Sequence, residues 1–147
     1  MRLLMVTLFL LTGPEFSCGL SPAAATEPLR LRVISYNIHH GEGVDRRLDL
    51  PRIANVLKAE RPDLVALQEV DQRVGRSGNM DQPQELARLT GLQAAFGSNI
   101  ALQGGHYGNA VLSRFPIVNH WNRLLPNVAA GEQRGLLGCE LELPDGA

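Results

Sequence analysis

Leu64-Val65-Ala66-Leu67-Gln68-Glu69-Val70-Asp71 is the stretch whose reading decides the fold. Four apolar residues follow the Arg61-Pro62-Asp63 break, and the polarity switches at Gln68-Glu69. A short apolar run bounded by a turn signal reads as a buried strand. On this reading the strand ends at Glu69, which leaves a carboxylate at a sheet edge, where open α/β sheets bind ligands. A lone Glu in that position is more often a solvated residue than a functional one, so its neighbours along the chain must single it out.

Upstream, Leu31-Arg32-Val33-Ile34-Ser35-Tyr36 has the β-branched and aromatic content of a strand, and it runs into Asn37-Ile38-His39-His40-Gly41. Asp49 suits a helix N-cap with Pro51 in the first turn, and Leu50, Ile53, Ala54 and Leu57 then recur at helical spacing. Pro62 closes that helix. Strand, helix, strand is a βαβ unit, whose right-handed crossover sets the two strands parallel, with both ends at the same sheet edge. Asn37 and Glu69 each stand just past an apolar strand and are therefore expected to face one crevice.

Downstream, Asp71 to Met80 reads as a polar surface loop rich in Arg and Gly, in which Arg73 and Arg76 are as readily solvated as functional. Pro83 to Thr90 reads as a short helix stopped by Gly91. Phe96 closes a short strand. Gly104-Gly105-His106-Tyr107-Gly108-Asn109 introduces another buried strand, Ala110 to Ser113, and two further strands are expected over Ile117 to Leu125 and Arg134 to Leu143.

The chain has 147 residues, 44% of them hydrophobic and 20% charged, as in one modest globular domain. Its formal net charge of -1 offers no basic field for bulk nucleic acid, which weighs against a non-specific nuclease. The start has the outline of a secretory signal: Met1-Arg2, an apolar run from Leu3 to Leu11, and Ala23-Ala24-Ala25 as a small-x-small cleavage site. This predicts an export segment over residues 1–25 and a periplasmic or extracellular protein. Glu15-Phe16-Ser17 make Cys18 a poor lipid-attachment site, and cleavage after Ala25 leaves Cys139 with no disulfide partner.

Tyr36-Asn37-Ile38-His39, Leu67-Gln68-Glu69-Val70-Asp71 and the run from Tyr107 to Ile117 resemble successive motifs of the endonuclease/exonuclease/phosphatase family, and Gln133-Arg134-Gly135 resembles its next one. One such motif is weak; four in order and spacing are specific. The family includes pancreatic-type deoxyribonucleases, apurinic endonucleases, neutral sphingomyelinases and inositol polyphosphate phosphatases. The resemblance implies an α/β fold, a two-sheet α/β sandwich of the deoxyribonuclease I-like type, over residues 29–147. It implies phosphoester hydrolysis with Mg²⁺, or Mn²⁺ in its place, by a monomer. The substrate is expected to be a phospholipid headgroup or a nucleic acid. The Asn-Ile-His-His-Gly and Gly-Gly-x-Tyr-Gly-Asn wording is nearest to members linked with lipid and glycolipid-anchor remodelling.

Carried over residue by residue, Glu69 matches the family's metal-binding Glu, and Asn37 the Asn beside it. Mg²⁺ prefers hard oxygen donors and keeps several waters, so this pair suits it. Arg134 matches the Arg that approaches phosphate, a role a guanidinium serves through paired, charge-assisted hydrogen bonds. Asn109 is placed to support its loop more than to touch substrate. Adjacent His39-His40 lacks the spacing of a helical zinc pair; His39 and His106 are instead candidate pocket-lining groups.

The family continues with a Thr-His strand, an Asp-x-Asn pair and a terminal Asp-His pair, and none of these occurs here. Without that His no general base is identified. Pro144-Asp145-Gly146 is hairpin chemistry with no second strand after it. The chain is thus expected to be the first part of a domain with its C-terminal half missing, leaving apolar surface uncovered. Two readings follow: a metal-dependent phosphoester hydrolase, or a catalytically inactive fragment with weak metal or phosphate binding.

Overall fold

The computed structural model describes residues 29–127 and 131–144. The predicted export segment, Cys18 and the Asp145-Gly146 turn lie outside the described residues. In chain order the elements are β1 (Val33–Asn37), α1 (Leu50–Glu60), β2 (Leu64–Gln72), α2 (Gln82–Thr90), β3 (Gln93–Leu102), β4 (Gly105–Ser113), β5 (Ile117–Leu124) and β6 (Gly135–Leu141).

Both helices begin and end on local chemistry. The Asp49 carboxylate accepts from the Arg52 N–H at 2.9 Å and caps α1, with Pro51 in the first turn. Asp81 caps α2 in the same way, followed by Pro83, and Gly91 ends it in the left-handed region. Leu50, Ile53, Ala54 and Leu57 of α1 and Leu86 of α2 face Val65, Leu67 and Val70 of β2 and Ala110 and Leu112 of β4, forming the core. Burying a Leu or Val side chain is worth roughly 1.5–3 kcal/mol, so this cluster fixes which face of the sheet carries the helices.

The main sheet has the order β1-β2-β4-β3. β1 and β2 are parallel, as the βαβ reading expects, and the other pairs are antiparallel. β5 and β6 form a separate antiparallel pair. This pair lies on the face opposite the helices. The Asn122 amide of β5 donates to the Ser98 carbonyl of β3 at 2.7 Å, and the Asn109 amide of β4 donates to the Gly135 carbonyl of β6 at 2.9 Å. Gly97 admits this approach, since a Cβ there would press on Asn122. Helices, four-stranded sheet and two-stranded sheet make the layered α/β architecture that was expected. Val118, Trp121, Leu124 and Leu136 on the smaller sheet are exposed.

Three boundaries differ from the sequence reading by more than two residues. β2 does not end at Glu69 but continues to Gln72, so Asp71 lies in a strand and not in a loop. β3 does not close at Phe96; it runs on through Gly97, Ser98 and Asn99 because β4 pairs with it along its whole length. β4 starts at Gly105, immediately after a two-residue turn in which Gln103 (φ 46°) and Gly104 (φ 85°) both adopt the left-handed conformation of tight hairpins.

Candidate active site

The site starts from an irregularity in β2. Leu67 pairs with Ala110, yet Val70 pairs with Gly108, so β2 carries one residue more than its partner between these points. That is a β-bulge, a device that re-aims side chains next to functional sites. Glu69 sits in it with φ 59°. A non-glycine residue held there costs about 1 kcal/mol or more, which the surrounding pairing must offset. β1 stops at the same level: Asn37 pairs with Gln68, and the Ile38 N–H donates to the Gln68 carbonyl at 3.1 Å. The backbone therefore sets Asn37 and Glu69 at adjoining strand positions, as the βαβ geometry requires. The Asn37 side-chain oxygen also accepts from the His39 N–H at 2.9 Å.

Two residues beyond Glu69, Asp71 is fully buried and receives a two-pronged hydrogen bond from Arg76: Nε to Oδ2 at 2.9 Å and Nη2 to Oδ1 at 2.8 Å. A buried carboxylate without such a partner would be strongly destabilising. Tyr107 is paired with Asp71 across the β2–β4 ladder, and the Arg76 guanidinium lies 5.1 Å from its ring centroid. Neither Arg76 nor Tyr107 stood out in the sequence. The short turn Gly75–Ser77 that carries Arg76 is pinned to the hairpin tip, where the Arg76 N–H donates to Gln103 Oε1 at 2.7 Å. Arg73, by contrast, is the solvated residue that the loop reading allows, with Asp81 3.5 Å away.

A second segment closes against this pair. His39, His40 and Gly41 all have positive φ (48°, 45° and 86°), a left-handed run that folds the chain after β1 back on itself. Gln82, at the start of α2 and 1% exposed, holds it there. Its Nε2 donates to the His40 carbonyl at 2.7 Å while its Oε1 accepts from the Asp71 N–H at 3.0 Å. The His40 ring is largely buried, 3.6 Å from the Glu42 carboxylate. Burial, reinforced by the positive field of Arg76, depresses its pKa below the usual 6.5.

Arg134 arrives from the smaller sheet. Asn109, read as supporting a loop, lies instead in β4, and its amide holds the carbonyl of Gly135, the residue after Arg134, on the smaller sheet. The Arg134 guanidinium is exposed and contacts Glu132 at 2.8 Å. Tyr107 links the two sides of the site. Burial pushes its phenol pKa up, the charges of Glu69 and Glu132 push it further, and Arg134 and Arg76 pull it back. Glu69, Arg76, Glu132 and Arg134 are all close enough to one tyrosine to act on it.

The remaining histidines are elsewhere or differently engaged. His39 is exposed, packed on the His40 ring at 4.4 Å between centroids. His106 pairs along the strands with Gln72 and Ala101 and bonds Ser98 at 3.0 Å. Among the described residues no group of three or more His, Cys, Asp or Glu side chains is arranged to hold a metal. The donors that fit a hard cation are the Glu69 carboxylate and the Asn37 amide oxygen, an incomplete set that Mg²⁺ would complete with water.

Comparison with known proteins gives the family of the chain. The chain is 33% identical over 127 residues to the uncharacterized protein YbhP of Escherichia coli (strain K12), covering 81% of this chain and 50% of that one. The same figures hold for YbhP of Shigella flexneri. The chain thus spans about half the length of the curated relatives it matches. Among solved structures, an endonuclease/exonuclease/phosphatase from Beutenbergia cavernae DSM 12333 matches with a TM-score of 0.65 and 33% identity, over 78% of this chain and 35% of that one. A family protein from Leptotrichia buccalis C-1013-b, 15% identical, shares the fold with a TM-score of 0.55, over 78% and 50% of the two chains. Residues 34–143 match the family's profile, a span that holds Asn37, Glu69 and Arg134 alike, and the chain belongs to the Endonuclease/Exonuclease/phosphatase family.

Proposed function

We propose that this chain carries the metal- and phosphate-binding half of a Mg²⁺-dependent phosphoester hydrolase that acts on a phosphodiester. The observation that carries the reading is the charge around Tyr107. Three carboxylates, Glu69, Asp71 and Glu132, stand there against two guanidiniums, Arg76 and Arg134, leaving one net negative charge. A phosphodiester brings a second. A divalent cation on Glu69 balances both, and two ion pairs remain to orient what binds.

Glu69 and Asn37 supply hard oxygens to Mg²⁺, for which Mn²⁺ can substitute. When bound, the metal neutralises charge on the phosphate oxygens. Arg134 offers further N–H donors to those oxygens, and its pairing with Glu132 restricts where it points. Tyr107, its pKa raised by burial, keeps its proton at neutral pH and can donate a hydrogen bond. The attacking water must also lose a proton, and the family's Asp-His motif has no counterpart in these 147 residues. We therefore assign turnover to a polypeptide of the relatives' full length. The second reading, for this chain alone, is weak binding of metal or phosphate without turnover. The near-neutral charge favours a lipid-headgroup or glycolipid-anchor phosphodiester over bulk nucleic acid. The Leu3 to Leu11 run and Ala23-Ala24-Ala25 support export, which mass measurement of the secreted chain would check.

The test is hydrolysis of a chromogenic phosphodiester with and without Mg²⁺, by this chain and by one extended with a relative's second half. The extended chain should turn over only with metal and lose activity on Glu69→Ala, and the short chain should be at least about 10²-fold slower for want of a base. Turnover that ignores Mg²⁺, or survives Glu69→Ala, would overturn the proposal.

A further inference from the structure

We propose that Arg76 binds the substrate phosphate, with the buried Asp71 carboxylate and the Tyr107 ring holding its guanidinium in place beside Glu69; this rests on the phosphoester reading above. The Asp71–Arg76 pair is lopsided. The carboxylate has no exposure at all, whereas the arginine side chain is 33% exposed. Here the anion is inside and the cation is at the surface.

The hydrogen bonds fix which donors remain. Nε and one N–H of Nη2 are taken by Asp71, and Tyr107 covers one face of the guanidinium. The end-on edge, Nη1 with the second N–H of Nη2, makes no hydrogen bond to the described residues. Two parallel N–H groups are the geometry that matches two non-bridging phosphate oxygens. The support extends to the backbone: Arg76 N and Gly75 N donate to Gln103 Oε1 and O at 2.7 and 3.3 Å, and the buried Ser77 hydroxyl donates to the Val74 carbonyl at 3.1 Å. A guanidinium held along one edge and one face, on a pinned turn, loses little freedom when an anion binds. Arg134 differs, being 62% exposed and held at 2.8 Å by Glu132. Tyr107 stands within the field of both arginines.

The experiment uses the 147-residue chain with inorganic phosphate as probe, followed by NMR of the arginine Nε–Hε signals, with and without Mg²⁺. Phosphate should move the Arg76 signal. In the double variant Asp71→Asn/Arg76→Gln, which leaves no orphaned buried charge, affinity should fall about tenfold or more, since a charge-assisted fork is lost. Arg76→Lys keeps the ion pair but not the fork, and should weaken phosphate several-fold while thermal stability stays close to wild type; it decides the matter if the double variant fails to fold. An unmoved Arg76 signal, or wild-type phosphate affinity in Arg76→Lys and the double variant, would show that the pair is scaffolding only. Glu69→Gln separates the two proposals. By removing a negative charge from the site it should tighten metal-free phosphate binding, and it should abolish the enhancement by Mg²⁺. Enhancement that persists in Glu69→Gln sinks the metal assignment without touching Arg76.

Discussion

Replacing Gln82 by Leu removes one side-chain amide of similar volume and strands two backbone groups. The Asp71 N–H loses its acceptor and the His40 carbonyl loses its donor. An unsatisfied buried group costs about 1–3 kcal/mol. The Asp71 amide belongs to a fully buried residue and bears that cost in full. The His40 carbonyl is at the margin, where water recovers part of it. We expect a loss of about 2–4 kcal/mol, a large share of the 5–15 kcal/mol typical of a domain. With a urea m-value of about 1–3 kcal/mol/M, the unfolding midpoint should fall by roughly 1–2 M at unchanged slope. Hydrogen exchange at the Asp71 amide should accelerate in step. A midpoint within experimental error of wild type would mean that Gln82 does not secure the segment after β1, and the link from α2 to the site would have to be abandoned.

Other substitutions probe the same neighbourhood. Because Glu69 has φ 59°, Glu69→Gly should be more stable than Glu69→Ala by about 1 kcal/mol in thermal or urea melts, although both lack the carboxylate; equal stabilities would argue that the bulge is unstrained. The His40 titration midpoint, read by NMR, should lie below 6.5. The unfolded chain then takes up that proton first, so stability is highest above about pH 6.5 and falls as pH drops below it, and His40→Gln should flatten this part of the profile. A midpoint at or above 6.5 would contradict the burial. Gly108→Ala would drive a Cβ into the Gly97 carbonyl of β3, and should cost about 3 kcal/mol or more or yield insoluble protein; wild-type melting would mean the strands can part at that point.

The βαβ unit was legible because its signals are local and mutually consistent. Leu50, Ile53, Ala54 and Leu57 keep a helical period between two apolar runs, and handedness leaves one arrangement of the strands. Asn37 and Glu69 followed from that arrangement. The continuation of β2 was not legible, since Gln68-Glu69 breaks the alternation in the way a strand end does, and a bulge shows only when the partner strand is known. β3 was read short for a related reason: Gly97, Ser98 and Asn99 have poor strand propensity and are kept in the sheet by tertiary pairing with β4. Arg76 was hidden more deeply. Its role depends on a carboxylate five residues earlier and an aromatic ring thirty-one residues later, and neither spacing has a period. Gln82 fell outside the helix read from Pro83 to Thr90, although it opens α2.

The bulge has a consequence for how this sheet could change. Leu67 and Val70 both face the core, with two residues between them where a regular strand has one. Removing Glu69 would leave Leu67 and Val70 two positions apart, on the same face, with Gln68 opposite Asn109 and the ladder continuous. Every buried apolar side chain would keep its place, and the strained backbone would be gone. The bulge is therefore a one-residue insertion in an otherwise continuous ladder, excisable without repacking. A chain lacking Glu69 should melt no lower than the full sequence, and a lower melt would show that the core depends on the bulge.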